Sequence, residues 1–340
     1  MKLEDFNYDL PQELIAQQPS EKRDQSRLLV LSKTDGTWED RIFSDIEEYL
    51  NSGDILVVNE TKVIPARLMG RRSSGGKVEI FLLNRQEGDT WEVLARPGKR
   101  VRIGDIISFS VPEITAEVVG ITESGGRIVT FHYRGIWEEL LDRIGTMPLP
   151  PYIHGYEGDL SRYQTVYASI PGSVAAPTAG LHFTPELINR LEEKGVCFAK
   201  VNLRVGLGTF RPVEAENIED HQMHEEYYEI GSTAAAAINE AKAKGGRVIA
   251  VGTTSTRVLE TVADDRGHLE AQSGWTQAYI YPGYRYKVID GLITNFHLPK
   301  SSLLMLVSAL AGREHVLAAY QHAIEEKYRF FSFGDAMLII

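Results

Sequence analysis

Cysteine is nearly missing from this sequence. Cys197 is the only one in 340 residues, so an internal disulfide is excluded. A chain of this length buries enough surface to fold without disulfides or a structural metal, and its lone thiol fits a reducing compartment. Positive charge is the minority sign, with 36 Lys and Arg against 47 Asp and Glu and a formal net charge of −11. That balance argues against nonspecific polyanion binding by the molecule as a whole. Long apolar runs are lacking too. The most apolar stretch, 303–311, is far shorter than the roughly 20 residues of a membrane span. Met1-Lys2-Leu3-Glu4-Asp5 places acids where a secretory signal needs a basic start and an apolar run. The expectation is a cytosolic protein. With 43% hydrophobic and 24% charged residues, global disorder is excluded as well.

The charge that is present is unevenly spread. Between Lys62 and Arg102 there are ten basic residues and four acids, a local net charge of +6. Between Glu214 and Glu229 there are seven acids and no Lys or Arg. Two such regions imply two kinds of partner.

The periodicity changes character twice. Ser44-Asp45-Ile46-Glu47 reads as a capping box opening a helix that stops near Gly53. From Asp54 to about Arg134 come short β-rich runs (55–58, 78–82, 106–109, 128–131) divided by turns such as Ser74-Gly75-Gly76 and Ser124-Gly125-Gly126, the pattern of a small barrel or sandwich. After Trp137, helices alternate with strands. Thr184-Pro185-Glu186 starts one helix, a strand follows over 196–203, Ser232 caps an alanine-rich helix, and 247–251 is the next strand. The fold class read here is an α/β domain with an inserted β-barrel-like domain: residues 1–62 and 147–340 form the α/β part, and 63–146 the insert.

Several segments have residue types suited to chemistry. Val251-Gly252-Thr253-Thr254-Ser255-Thr256-Arg257 reads as a hydroxyl-rich loop leading into a helix near Arg257, suited to a polar or anionic ligand group or simply to capping. It is neither a Walker loop nor a Rossmann fingerprint. Gly206-Leu207-Gly208 is a weak glycine pair that could serve only as a strand turn. Asp220-His221-Gln222-Met223-His224 spaces its histidines at i and i+3, not the i and i+4 of zinc proteases. The reading ranks a cation-attracting polar site above a metal site, with a solvated acidic loop as the bland alternative. His182 sits just before a helix start and could be an acid or base, or a structural hydrogen-bonding group. Tyr279 and Tyr281 share a face if their segment is a strand, either packing in a sheet or offering a platform for a flat base or a cation. Asn295 and His297 share a face in the same sense. Asp335, amid aromatics, needs a partner. Cys197 is expected to be buried packing.

Longer runs carry a resemblance. They are 59–68, Arg96-Pro97-Gly98-Lys99, 147–153, 162–168, 175–184, 205–213, the Asp220-His221 cluster, Gly252-Thr253-Thr254-Ser255, 295–299 and 328–338. Together the chain resembles the S-adenosylmethionine:tRNA ribosyltransferase-isomerase family of the bacterial queuosine pathway, over essentially its whole length. The resemblance implies transfer and isomerisation of the ribosyl part of S-adenosylmethionine onto 7-aminomethyl-7-deazaguanine at the tRNA wobble position. The product is epoxyqueuosine, with adenine and methionine released. It also implies a monomer with a barrel-like insert, S-adenosylmethionine as donor substrate and no permanently bound cofactor.

On that reading the proton transfers fall to His182, His221, His224 and His297, with Asp220 beside them. Thr178, Arg204, Thr253, Thr254, Ser255, Arg257, Tyr281, Asn295 and Asp335 are candidates for holding substrate. Lys62, Arg67, Arg71, Arg72, Arg96, Lys99 and Arg100 are candidates for tRNA phosphates. No metal ligand is expected. Two rivals remain at this point: a noncatalytic RNA-binding module, and a metal-dependent hydrolase using Asp220, His221 and His224.

Overall fold

The computed structural model describes residues 1–123, 125–206 and 213–340. Ser124 and residues 207–212, with most of the Gly-x-Gly segment, lie outside the described residues. The chain folds as two compact units. One comprises 1–62, 150–170 and 176–340; the other comprises 63–149 and 171–175.

The first unit is built on a nine-stranded mixed sheet. Its spatial order is Gln272–Thr276, Glu226–Ile230, Cys197–Leu203, Ile55–Asn59, Val248–Val251, Gly291–Asn295, Ala336–Ile339, Arg27–Leu31 and Trp38–Ile42. The four strands from 197–203 to 291–295 run parallel. Their central members are buried along their whole length, as strands covered on both faces must be (Ile55, Leu56, Val57 and Val58; Val248, Ile249, Ala250 and Val251). Ala336–Ile339 is antiparallel to Gly291–Asn295 and parallel to Arg27–Leu31. Asp335 and Ser26 therefore lie at the same sheet edge as the C-terminal ends of the parallel strands.

Local signals were partly displaced. The helix expected from a Ser44 box is a 3₁₀ turn, Phe43–Glu48, in which the Asp45 carboxylate accepts the Ile42 N–H at 3.1 Å. Thr184 caps Pro185–Glu193 as its sequence suggests, its hydroxyl accepting the Leu187 N–H. Ser232 is the first helical residue of Ser232–Ala243 rather than its cap. The hydroxyl-rich segment is no loop. Gly252, at φ +87°, turns the chain from strand directly into the helix Gly252–Val262, so Thr253 to Arg257 are already helical. Tyr279 and Tyr281 are not on a strand; their rings sit 4.9 Å apart in an irregular segment. Cys197, expected to be buried, is exposed at the start of its strand.

The second unit is a closed barrel. Strands Arg67–Arg72, Lys77–Arg85, Thr90–Arg96, Arg127–Tyr133, Ile114–Ile121 and Ile106–Ser108 follow one another, and Arg71 and Arg72 pair with Ser108 and Ile107 to shut the ring. Gly145–Thr146 adds to the first strand. The interior holds Leu68, Ile80, Val93, Ile107, Val118 and Val129, and closure leaves no long unpaired edge. The helix Trp137–Ile144 packs Trp137 against Phe131 at 4.8 Å and Trp91 at 5.8 Å. No single helix among the described residues is long and apolar enough to cross a membrane.

Candidate active site and basic barrel surface

In open α/β sheets, ligands bind beyond the carboxyl ends of the parallel strands. Here that edge collects buried polar side chains from distant parts of the chain. Asn59 ends its strand with its carboxamide locked to the neighbouring strand: Nδ2 donates to Leu203 O at 3.0 Å, and Oδ1 accepts from Leu203 N and Thr61 N. Thr61 is fully buried, and its hydroxyl has no partner among the described residues.

His182 closes the 3₁₀ turn Thr178–His182. Gly180 makes the turn possible, since a Cβ there would lie 2.0 Å from the Tyr167 hydroxyl. The His182 ring is buried, with Nδ1 2.7 Å from Ser26 Oγ and Nε2 3.2 Å from Asn295 Nδ2. Asn295 Oδ1 accepts from Thr178 Oγ1 at 3.0 Å, which leaves the Asn295 amide to donate to Nε2. His182 is thereby a neutral imidazole carrying its proton on Nδ1. Burial pushes its pKa down to about 4, against the opposing pull of Asp335. Thr178, His182 and Asn295, separate in sequence, are one hydrogen-bonded chain.

Asp335 has the partner its position required. Its carboxylate accepts the backbone N–H groups of Arg27 and Arg329 and the Arg329 guanidinium at 3.0 Å. Every one of those contacts is within the protein. His297 belongs to another neighbourhood: its Nε2 meets Thr294 Oγ1 at 2.8 Å and its backbone N–H donates to the Tyr320 hydroxyl. Burial holds its pKa near 3, a deeply apolar setting for a group expected beside Asn295.

Among the described residues, the helix Gly252–Val262 begins at this edge without a capping side chain, and the buried Thr254 hydroxyl has no partner. Ser255 and Thr256 turn their hydroxyls back onto Val251 O and Gly252 O, so they close the helix's own backbone. Thr253 is half-buried. Arg257 is 5% exposed and pairs through Nη1 with Glu226, while its Nε donates to Ala278 O at 3.1 Å. Among the described residues its buried Nη2 has no acceptor. Unpaired buried donors are rare and costly, so this atom marks a place for a ligand acceptor.

The acidic stretch is less open than its composition implies. Glu226 is buried in the Arg257 pair, Glu219 is 2.5 Å from the Met1 amino group, and Glu216 is 3.6 Å from Lys2 Nζ. Asp220 accepts from Asn217 at 3.2 Å. His221 packs edge-on to Tyr279 at 5.3 Å, and partial burial together with the neighbouring His224 lowers its pKa. His224 is exposed. Among the described residues no group of three or more His, Cys, Asp or Glu could hold a metal ion. Arg204 is exposed and lies 4.7 Å over the Tyr227 ring.

The barrel carries the basic residues differently. Arg71, Arg96, Lys99 and Arg100 are exposed, and among the described residues they form no ion pair. Arg72 Nη1 donates to Arg100 O at 2.9 Å, bringing the Arg71–Lys77 hairpin beside the Lys99–Arg100 turn. Arg67 is half-buried, 3.9 Å from Glu79. Lys62 is exposed on the other unit.

Sequence reasoning missed three supports. Ser26 gives no local signal, because its partner His182 is 156 residues away. Glu226 could have been found, since Glu226, Tyr228 and Ile230 alternate inward along one strand. Arg127 reads as one more basic residue, but its buried guanidinium donates to the carbonyls of Val101, Gly125, Gly126 and Gly98, holding the turn that bears Lys99 and Arg100.

A family model described as queuosine biosynthesis protein matches residues 3–339. The chain belongs to that family. It is 60% identical to the S-adenosylmethionine:tRNA ribosyltransferase-isomerase of Moorella thermoacetica and 58% identical to that of Caldanaerobacter subterraneus subsp. tengcongensis, covering all of each chain in both comparisons. It is also similar to the crystal structure of S-adenosylmethionine tRNA ribosyltransferase from Thermotoga maritima, with 40% identity, a TM-score of 0.57, and coverage of 99% of this chain and 100% of that one. The likeness spans both parts described above, the mixed α/β unit and the closed barrel.

Proposed function

We propose that this protein transfers and isomerises the ribosyl moiety of S-adenosylmethionine onto 7-aminomethyl-7-deazaguanine at the tRNA wobble position, releasing adenine and methionine. The reading is carried by the polar groups gathered at the C-terminal edge of the parallel strands, above all the buried Arg257, one terminal nitrogen of which lacks an acceptor among the described residues. Family membership over residues 3–339 supports it.

The chemistry divides the candidates. The attacking amine must be neutral, so a base must take its proton. The sulfonium acidifies the ribose C5′ protons; loss of one starts elimination of adenine, whose leaving nitrogen takes up a proton. Closure of the epoxide then expels methionine. His221 suits the base role, being half-buried with a pKa below its ordinary value and hence neutral near pH 7. His182, neutral and bonded at both nitrogens, holds Asn295 and Thr178 in place as a positioning residue. Arg257 Nη2 and the start of the Gly252–Val262 helix supply donors for acceptor groups of the donor substrate. The exposed barrel residues Arg71, Arg96, Lys99 and Arg100, with Lys62, serve tRNA phosphates.

The protein acts in this reading as a cytoplasmic monomer without a bound cofactor. Mass analysis of tRNA nucleosides after incubation with S-adenosylmethionine tests it: epoxyqueuosine and free adenine are expected in equal amounts. Absence of both from tRNA carrying the aminomethyl base overturns the assignment.

A further inference from the structure

The outer strand Gln272–Thr276 carries the most exposed tryptophan of the chain. Trp275 is 54% exposed, and its ring meets Tyr227 on the next strand at 5.7 Å and 74°. Arg204 lies over the Tyr227 ring at 4.7 Å. Arg204, Tyr227 and Trp275 thus form a ladder across three adjacent chain segments. Residues two apart on a strand share a face at a spacing of roughly 7 Å. Glu229 therefore shares the face of Tyr227, and Glu225 immediately precedes the strand. Both are exposed, neither is in an ion pair among the described residues, and Gln277 holds Glu225 by a 3.2 Å hydrogen bond. Asn202, which pairs in register with Glu229, is 2% exposed, and among the described residues both its amide atoms are unpartnered. It lines a cavity of about 390 Å³ together with Glu229 and Thr233, room enough for a nucleobase.

We infer that this face is the seat of the acceptor base, with Trp275 and Tyr227 as its stacking platform and Glu225 and Glu229 as the counter-charge for its aminomethyl group. The inference rests on the tRNA reading above. Aromatic side chains and guanidinium planes hold unstacked bases of single-stranded RNA. The two carboxylates would repel ordinary RNA, whose charge is all negative. They favour a base carrying a primary ammonium, which is protonated at neutral pH as a lysine amine is. The Asn202 amide offers one donor and one acceptor to the edge of a guanine-like ring.

The test uses the full-length protein and two anticodon stem-loops, one bearing 7-aminomethyl-7-deazaguanine and one bearing guanine at the wobble position. Trp275→Ala is expected to weaken binding of the modified loop by roughly 5- to 150-fold, the range for loss of one stacking partner. Trp275→Phe should keep most of the affinity while losing the quenching of tryptophan emission that binding produces. Glu225→Gln with Glu229→Gln should abolish the preference for the modified loop. Wild-type affinity in Trp275→Ala, an unchanged preference for the modified loop in the double Gln variant, or a change only in oligomeric state overturns the inference. If wild-type protein releases adenine while these variants bind normally, this inference alone fails; if wild-type protein releases none, the proposed function fails with it.

Discussion

The C-terminal edge of the large sheet and the basic face of the barrel solve opposite problems with charged and polar groups. At the sheet edge, Glu226, Arg257, His182, Asn295 and Asp335 are each at most 5% exposed, and protein atoms supply almost all of their partners. On the barrel, Arg71, Lys99 and Arg100 stand in solvent. Buried groups are held in fixed geometry, which suits bond-making, and their removal disturbs fold and chemistry together. Exposed groups contribute little to stability and act through the field they present to a polyanion. The contrast predicts which losses are coupled and which are separable.

The largest effect belongs to the buried pair. Glu226→Ala strands the Arg257 charge, so the protein should lose about 3–5 kcal/mol of stability in a denaturant melt along with its turnover. A melt like that of the wild type would remove the distinction between the two regions. Acid attacks the same side of the contrast. His182 and His297 have folded pKa values of about 4 and about 3, below the ordinary 6.5 that the unfolded chain restores. The unfolded state therefore binds more protons as pH drops below about 6.5. Stability is full above that point and is lost on acidification toward the folded values, by up to about 1.4 kcal/mol per histidine per pH unit. Melts between pH 7 and pH 4.5 check the slope, and a flat profile would contradict the burial.

Asn295→Ala comes next. It leaves His182 Nε2 and Thr178 without their shared partner, which should cost about 1–3 kcal/mol and lower adenine release by roughly 10²-fold through lost positioning. If stability falls while the rate does not, the hydrogen-bonded chain serves only the fold. The smallest stability effect is expected on the barrel. Neutralising the exposed Arg71, Arg96, Lys99 and Arg100 together should shift stability by no more than about 0.5 kcal/mol per substitution. It should flatten log K for tRNA against log[salt] by up to about 0.9 per lost phosphate contact. An unchanged slope would move the RNA off this face. Arg127→Met sharpens the comparison, because it removes no exposed charge yet frees the turn that bears Lys99 and Arg100.

How much could be read in advance varies by element. The barrel strands were legible as short β-rich runs divided by glycine turns, as at 78–82 within Lys77–Arg85, because β-branched and aromatic residues suit a pleated, half-buried surface. The start of the Gly252–Val262 helix was not. Threonine and serine there favour turns when taken locally, but burial of Ser255 and Thr256 lets their hydroxyls close onto the helix backbone instead. Tyr279 and Tyr281 alternate like a strand without being one, since period two is also produced by rings that meet in a loop. Among the candidate residues, Thr178 and Asn295 stand far apart in sequence and are bonded to one another in the fold. His297 was drawn to Asn295 by sequence proximity and lies with Thr294 and Tyr320.

By itself the sequence determined the two-part plan, the sign of charge in each part and the family, since these are recorded in composition, periodicity and uninterrupted motifs. Only the tertiary structure decided which of those polar residues are partners and which are open to a ligand. Contacts such as Ser26 with His182 and Glu226 with Arg257 join residues dozens to hundreds of positions apart. Burial, which sets both their protonation and their cost, exists only once the strands carrying them have packed.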